Sequence, residues 1–501
     1  MAQPDVVIGL DIGTTSTMAA AISLPDQILA VASRPVTLSS PHAGWAEEDP
    51  AQWWDKAVAV LREVVAEVGA NRIAGICATG MLPAVVLLDA EGNVLRPSIQ
   101  QSDGRCGAEV DELASELDAA AFLKRTGNGI NQQLVAAKLR WLKRHEPEVM
   151  AQVATVFGSY DYINFRLTGV RAVEQNWALE AGFTDLATGQ IADDLVALAG
   201  IARSAVPKRS VSHEEMGRVT AEAAALTGLP VGLPVFGGAA DHIVSALGAG
   251  IISAGDVLLK FGGAGDIVVA TDRPLPDPRL FMDYHLVPGL YAPNGCMASS
   301  GSALNWLGGL ITPDGANERP HQMLDALAAE VPAGSDGLIC LPYFLGEKTP
   351  IHDPLARGTF VGLGLNHGRG HLWRATLEAV AFGFRHHIDV LREIGHVPSR
   401  YIVSDGGSRS RVWMQIVADV MGAPVTLLDN HHGSSVGAAF VAAMGTGLAT
   451  DWQAVTQLSR LGATLTPGST APAVYDRAYA QYRDLYVRLK PYFHYAAAAT
   501  A

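Results

Sequence analysis

Each half of the chain contains an apolar segment, a glycine-containing polar turn and a second apolar segment. In the first half, the apolar segments 6–10 and 18–22 flank the turn DIGTTST at 11–17. About half the chain later, 257–270 (VLLKFGGAGDIVVA) has the same order. A strand, a tight turn and a second strand is the simplest interpretation of each segment. Because a repeated unit indicates repeated domains, this pattern predicts two similar domains.

Strand-like and helix-like patterns alternate along the rest of the chain. Asp49 and Pro50 are typical of a helix start, and apolar residues follow at helical spacing up to Val68. A strand-like segment comes next, at 72–78. This alternation predicts the α/β class. We expect the domains to span 1–248 and 249–501, because Gly, Ala and Ser concentrate at 248–255.

Composition excludes several classes of protein. The 501 residues include 36 Lys and Arg against 50 Asp and Glu, a net charge of −14, whereas a nucleic-acid binder needs a basic surface. The four cysteines form no CxxC pair, which argues against a disulfide framework or zinc site and favours a reducing cytosol. The first residues lack the basic region of a signal peptide, and no apolar stretch is long enough to span a bilayer. We therefore expect a cytoplasmic protein without a membrane partner.

The two glycine-containing turns are candidate phosphate sites. Gly13 permits a sharp turn, and the amides and hydroxyls of Thr14 and Thr15 would form a concave donor surface for phosphate oxygens. Asp11 could hold a magnesium ion through its waters. In the second turn, FGGAG, the glycines imply close approach of the backbone to a ligand. The alternative is that both are ordinary hairpin turns.

Two further glycine-rich segments are candidates for chemistry. In GGAADH, Asp241 could be a general base that accepts a proton from a hydroxyl nucleophile, or simply a helix cap, and His242 could be a capping or core histidine. In DGGSRSR, at 405–411, a strand, a glycine pair and a helix start would form the floor of an adenosine pocket. The alternative there is a plain strand-to-helix turn.

Together these motifs resemble the FGGY family of carbohydrate kinases, within the group that shares the actin and sugar-kinase ATPase fold. The most specific match is the C-terminal signature, which runs from Gly358 in RGTFVGL to Glu378. The segment PYFLGEKTPIHDPLARG, at 342–358, is very similar to the corresponding stretch of xylulokinases. The resemblance implies two actin-like (ribonuclease H-like) ATPase domains facing a central cleft. The sugar would lie on the N-terminal side and magnesium-ATP mainly on the C-terminal side, and a homodimer would be consistent with many relatives.

The resemblance also implies a role for each candidate residue. Asp241 would be the catalytic base, and Asp11 the catalytic residue that orients magnesium. The residues expected to contact the sugar are Met81, Leu82, Gln101, Asp103 and His242. The residues expected to contact the nucleotide are Gly13, Thr14, Thr15, Gly262, Gly263, Gly265, Gly301, Gly406, Gly407 and Arg411.

Departures from the xylulokinase pattern concern the substrate. The Met-His-Gly sugar contact is Met81-Leu82-Pro83 here, the Trp two residues before the sugar-site Asp is Gln101, and the residue after the base, often Asn, is His242. These changes predict that D-xylulose is a poor substrate and that another small ketose or polyol is better. The alternative is that the 82–83 segment only packs behind the site.

Two departures concern phosphate. The basic residue that commonly follows the first turn is Met18, and the Thr of the second turn is Gly263, so magnesium and backbone dipoles would have to neutralise the phosphate charge. These departures leave two alternatives to a sugar kinase. One is a non-catalytic regulator that binds sugar and nucleotide on the same scaffold, and the other is an ATPase of the actin or chaperone type acting on a protein partner.

Overall fold

The computed structural model describes residues 4–312, 320–430 and 433–498. That part of the chain divides into two compact units, each of mixed strands and helices, which confirms the predicted α/β class. The first unit comprises Met1–Ile252, Asp272–Ala292 and His432–Ser459. The second unit comprises Ser253–Thr271, Pro293–His431 and Arg460–Ala501. Within the described residues, no helix is long and apolar enough to cross a membrane.

A mixed sheet forms the centre of the first unit. Its strands lie in the spatial order Glu215–Arg218, Pro234–Ala240, Ile73–Gly80, Val6–Ile12, Ser16–Ser23 and Gln27–Pro35. The second, third and fourth of these are parallel neighbours, and the fourth to the sixth form an antiparallel meander. The first predicted hairpin is thus confirmed, and its turn follows the carboxyl end of a central strand.

Helices cover this sheet on buried apolar faces. The helix Pro50–Val68 begins as predicted, because the Asp49 side chain accepts a hydrogen bond from the Ala51 amide. The small-residue helix Gly433–Thr446 packs directly on the strand Val6–Ile12, where a Cβ atom on Gly9 would overlap the Ser435 carbonyl oxygen. The other helices of this unit are Gly107–Glu116, Ala119–Thr126, Val135–His145, Pro147–Met150, Ser159–Thr168, Gln175–Glu180, Asp193–Ala197, Ala221–Thr227 and Asp241–Gly248.

The second unit repeats the hairpin motif in its own sheet. The strands Asp256–Phe261 and Gly265–Val269 pair antiparallel, and Arg400–Ser404 pairs parallel with the first of them. Tyr291–Met297 continues the sheet on one side, and Val425–Asn430 and Arg460–Leu465 continue it on the other. The helices of this unit are Gly301–Ile311, Pro320–Ala329, Arg369–Glu393, Arg411–Met421 and Ala471–Ala498. The second predicted hairpin is therefore also confirmed.

Candidate active site

In the first unit, three of the sequence motifs follow the carboxyl ends of three neighbouring parallel strands. Ile12 pairs with Gly80 in the register of the sheet, and Ala240 pairs with Gly80 from the other side. The first glycine turn, Met81 and Asp241 therefore leave the sheet at the same edge. Ligand sites of open parallel sheets occur at this edge. The fold thus brings together residues that are far apart in the sequence.

The first turn is tight, and Thr14 and Thr15 are exposed. The Gly13 amide donates a hydrogen bond to the Ser16 carbonyl oxygen at 3.0 Å. The Thr14 hydroxyl contacts the Met81 sulfur at 3.9 Å, which joins the turn to a predicted sugar residue. Asp11, at the end of the strand, accepts a hydrogen bond from the Ser434 hydroxyl. Carboxylate and hydroxyl oxygens are the donors that magnesium prefers, so this set of residues fits the predicted metal.

Asp241 is the first residue of its helix, and Ala240 occupies the cap position. The Asp241 side chain is 38% exposed, and its Oδ1 accepts a hydrogen bond from the His242 amide at 2.6 Å. Gly238, in the strand before it, has a φ of 90°, and a Cβ atom there would overlap the Ala78 carbonyl oxygen. Only glycine is compatible with this close approach, so the GG pair of the motif sets the path of the chain into Asp241.

His242 lies between carboxylates that come from distant parts of the sequence. Its Nε2 is 2.9 Å from Asp283 Oδ2, and its Nδ1 is 3.4 Å from Asp241 Oδ1. Burial works against the charged ring, but the hydrogen bonds with Asp241 and Asp283 outweigh it and raise the pKa of His242 well above its usual value. Glu180 completes the group, and possible ligand atoms of Glu180, His242 and Asp283 all lie within 4.8 Å of one another.

The predicted sugar residues Met81, Leu82 and Gln101 are packed into the first unit. Met81 and Leu82 are buried, and the Met81 amide donates to the Ile12 carbonyl oxygen. Gln101 is half-buried, and its Oε1 accepts a hydrogen bond from Gln133 at 3.0 Å. Nearby, the buried Lys138 donates to the Gln100 carbonyl oxygen at 2.7 Å, and burial lowers its pKa to about 8. Lys138 Nζ also lies 3.5 Å from the Pro83 carbonyl oxygen, so this one side chain joins the helix Val135–His145 to both the 81–83 and the 100–103 segments.

Asp103 belongs to a buried ion-pair network. It is fully buried, and its carboxylate accepts hydrogen bonds from Arg105 Nε at 2.8 Å and Nη2 at 2.7 Å. The Ala46 amide donates to the same carboxylate, and Glu47 also pairs with Arg105. Burial alone would raise the pKa of Asp103, but the hydrogen bonds from Arg105 and Ala46 outweigh burial and lower it. The network gives Asp103 a structural role whether or not it also contacts a sugar.

We expect Asp103→Ala to lower the free energy of unfolding by about 3 kcal/mol, since it leaves Arg105 buried with one carboxylate fewer. Urea denaturation of the wild type and the variant would measure this difference in the free energy of unfolding. The matched control is Asp5→Ala, because Asp5 forms a half-exposed pair with Arg72 and such pairs contribute at most about 1 kcal/mol. Unchanged stability with a raised KM for the sugar would instead make Asp103 chiefly a sugar contact.

In the second unit, Gly301 packs against the FGGAG turn. Its amide donates to the Gly262 carbonyl oxygen at 2.9 Å, and the Ser300 amide donates to the Gly263 carbonyl oxygen at 2.8 Å. A Cβ atom on Gly263 would meet nothing within 4 Å, whereas one on Gly265 would meet Met297 and Phe384. Packing therefore accounts for glycine at 265 but not at 263.

The DGGSRSR segment lies beside the same turn. The Asp405 carboxylate lies 3.5 Å from the position of a Cβ atom on Gly262. Gly406 faces open space, whereas a Cβ atom on Gly407 would overlap Trp413 and Phe261, so core packing requires that glycine. Arg411 is the first residue of the helix Arg411–Met421, which the Ser410 hydroxyl caps. The second unit thus brings the predicted nucleotide motifs at 262–265, 301 and 405–411 into contact.

The sequence analysis missed Glu180, Asp283 and Ser434. Glu180 and Asp283 lie in the apolar segments NWALEAG and RLFMDYH, which have no glycine-rich or clustered polar pattern. Ser434 is the second residue of the helix Gly433–Thr446, and in the sequence it is indistinguishable from an ordinary helix-start residue. Only the fold brings these side chains to Asp241, His242 and Asp11.

Comparison with known proteins identifies the family. The models of the N-terminal and C-terminal domains of the FGGY family of carbohydrate kinases match residues 6–248 and 262–446. The crystal structure of a xylulose kinase from Rhodospirillum rubrum is 66% identical, with a TM-score of 0.93 over 98% of this chain and 100% of that one.

Two curated relatives are also xylulose kinases. The Bacillus subtilis protein is 29% identical over 97% of both chains. The Klebsiella pneumoniae protein is 32% identical over 87% of this chain and 88% of its own. The predicted family, the actin-like ATPase fold and the ATP-dependent sugar kinase activity are thereby confirmed. This chain belongs to the FGGY family of carbohydrate kinases.

Proposed function

We propose that this kinase phosphorylates a hydroxyl of a ketopentose or a related small polyol, with Asp241 as the general base. The observation that carries the proposal is the common edge of the first-unit sheet, where the strands ending at Ile12, Gly80 and Ala240 deliver the first glycine turn, Met81 and Asp241. A carboxylate that is partly exposed at this edge can reach a bound hydroxyl. The names of the relatives support a pentulose.

In the proposed reaction, the sugar hydroxyl oxygen attacks the γ-phosphorus of ATP. The new O–P bond forms as the bond from that phosphorus to the β–γ bridging oxygen breaks, and ADP leaves with the electron pair. The hydroxyl proton passes to the Asp241 carboxylate. Because such transition states are loose, positioning and charge stabilisation supply most of the rate.

Each unit contributes its own binding residues in this proposal. In the first unit, Asp11 would hold magnesium, with Thr14 and Thr15 as hydroxyl donors, and magnesium would supply charge neutralisation for the phosphates. In the second unit, the amides of 262–265 would bind phosphate oxygens, and Gly301, Gly406, Gly407 and Arg411 would form the adenosine site. The sugar side would be 1–248 and the nucleotide side 249–501, a division supported by the residues that the family models match, although Asp272–Ala292 and His432–Ser459 pack in the first unit. A homodimer, testable by light scattering, also remains a proposal.

The sequence predicts a substrate other than D-xylulose, although the relatives are named xylulose kinases. Leu82 is buried and carries no hydrogen-bonding group, so it cannot replace a histidine that binds a sugar hydroxyl. A missing partner for such a hydroxyl costs about 1–3 kcal/mol, or roughly 10- to 100-fold in specificity. We therefore propose that the preferred substrate has a deoxy carbon or a shorter chain where Leu82 approaches it, with Gln101 selecting its remaining hydroxyls.

A coupled assay of sugar-dependent ADP release tests the function and the substrate together. We expect D-xylulose to have a lower kcat/KM than another pentulose, tetrulose, tetritol or deoxy sugar of the panel. If D-xylulose leads the panel, the substitutions are compensated and the interpretation of the pocket is wrong. Binding of sugar and ATP without turnover on any of the sugars would favour the non-catalytic regulator instead.

A further inference from the structure

Glu180, Asp283 and His242 form a chain of contacts that ends on Asp241. Glu180 is on the helix Gln175–Glu180, Asp283 is on the strand Phe281–Tyr284, and His242 follows Asp241 on its helix. All of these residues belong to the first unit. Asp283 is fully buried, and Glu180 is 9% exposed, so the chain runs from the interior of the unit to the half-exposed Asp241.

The charges of these side chains determine which of them donate and which accept the hydrogen bonds between them. Burial, reinforced by the negative charge of Asp283, raises the pKa of Glu180 well above its usual value. In its neutral form, which burial favours, Glu180 donates its proton in the hydrogen bond that it shares with Asp283. The Asp283 carboxylate accepts from His242 Nε2 at 2.9 Å. Despite burial, the carboxylates of Asp241 and Asp283 favour the charged form of the ring and raise the pKa of His242, and in that form both ring nitrogens donate, with Nδ1 facing Asp241.

The consequence for Asp241 concerns its oxygen Oδ1, which His242 contacts twice. Oδ1 accepts the His242 amide at 2.6 Å and faces Nδ1 at 3.4 Å. Hydrogen bonds that a carboxylate accepts favour its charged form and so lower its pKa. The His242 ring contacts the Asp241 carboxylate through Nδ1 and the Asp283 carboxylate through Nε2, so Asp283 restricts rotation of the ring beside Asp241.

We propose that His242 is a positioning residue that orients the Asp241 carboxylate, and that Asp283 and Glu180 hold the His242 ring for this task. The inference rests on the proposed role of Asp241 as the base. It assigns a function to the position where xylulokinases often carry an uncharged Asn. The ring acts through Asp241, so its loss should change the chemical step rather than the affinity for either substrate.

The test is steady-state kinetics with the best sugar of the panel, using Asp241→Asn as the reference. We expect His242→Ala to lower kcat by about 10- to 100-fold, since a small misplacement of a catalytic group has effects of this size. The KM values for sugar and ATP should change less than threefold. Asp283→Asn should lower kcat similarly, and the double variant should be no worse than His242→Ala, because both residues act through one ring.

The pH profile separates positioning from a purely structural role. The titratable groups whose charges act on His242 include Asp241, Asp283 and Glu180. Removing the cation should move the acid limb of kcat/KM to higher pH by about one unit. His242→Asn should shift this limb as His242→Ala does, but it should recover part of kcat, because its amide can still donate.

Two variants far from Asp241 in the sequence serve as matched controls. His145→Asn and Asp277→Asn change the same residue types elsewhere in the first unit, where His145 stacks on Trp141 and Asp277 pairs with Arg279. Both should retain the wild-type kcat, KM values and pH profile.

A raised KM for the sugar at unchanged kcat would make His242 a sugar contact and overturn the proposal. Elemental analysis could also overturn the proposal. One equivalent of metal in the purified wild type that is lost in His242→Ala would make His242 a metal ligand. Full activity of Asp241→Asn would refute the proposed base itself, whereas an inactive Asp241→Asn beside a fully active His242→Ala would refute only the positioning role.

Discussion

Asp241→Asn is expected to lower the rate of sugar phosphorylation by about 10²–10⁴-fold, the usual loss when a general base is removed. Asparagine has nearly the same shape as aspartate, so the change removes the proton acceptor with little disturbance of packing. The helix should still form, because Ala240 rather than Asp241 occupies its cap position. ATP affinity, measured by calorimetry, should remain within a few-fold of the wild type.

The chain contains a close structural match for the control. Asp193 is also the first residue of a first-unit helix, and its cap position is also an alanine, Ala192. Its exposed pair with Arg203 at 3.2 Å contributes little to stability. Asp193→Asn should therefore have wild-type turnover. If Asp241→Asn retained more than a tenth of wild-type turnover, Asp241 would have only a structural role.

The two hairpins were predictable because their signal is local. A glycine turn between two apolar segments is complete within about 15 residues, so the sequence contains nearly all the information that forms it. The same holds for the helix start at Asp49, whose cap is a contact between neighbouring residues. The packing of helix Gly433–Thr446 on Gly9 was not predictable in this way, since that contact spans most of the chain.

The polar groups around Asp241 were not predictable for the opposite reason. Asp283 and Glu180 approach His242 from segments 41 and 62 residues away in the sequence, and each segment looks like an ordinary apolar element. Asp103 was predicted from a resemblance, but its burial against Arg105 depends on how the chain folds around both side chains. The motifs indicated which segments contribute to the active site. Tertiary packing determines which side chains of those segments are exposed in the site and which are buried.

The second large effect is expected at Gly263, where valine should weaken ATP binding by about 10- to 100-fold, corresponding to roughly 1–3 kcal/mol of steric conflict. A Cβ atom there meets no protein atom within 4 Å, so the side chain can be accommodated without a change of fold. The neighbouring backbone is already fixed, because the Gly263 carbonyl oxygen accepts hydrogen bonds from the Ser300 and Ser302 amides. Any loss of affinity would therefore come from the space that the proposed phosphate site needs.

Two variants show whether the loss at Gly263 is specific to the nucleotide. Gly263→Thr has the same branching and nearly the same size, but its hydroxyl can donate to a phosphate oxygen, and it matches the residue of the family pattern. It should bind ATP within a few-fold of the wild type. Gly368→Val changes another second-unit glycine with open space around it, at the start of the helix Arg369–Glu393, and should leave calorimetric ATP affinity unchanged. If a folded Gly263→Val bound ATP normally, the 262–265 turn would not contact the phosphates, and the nucleotide site would have to lie elsewhere in the protein.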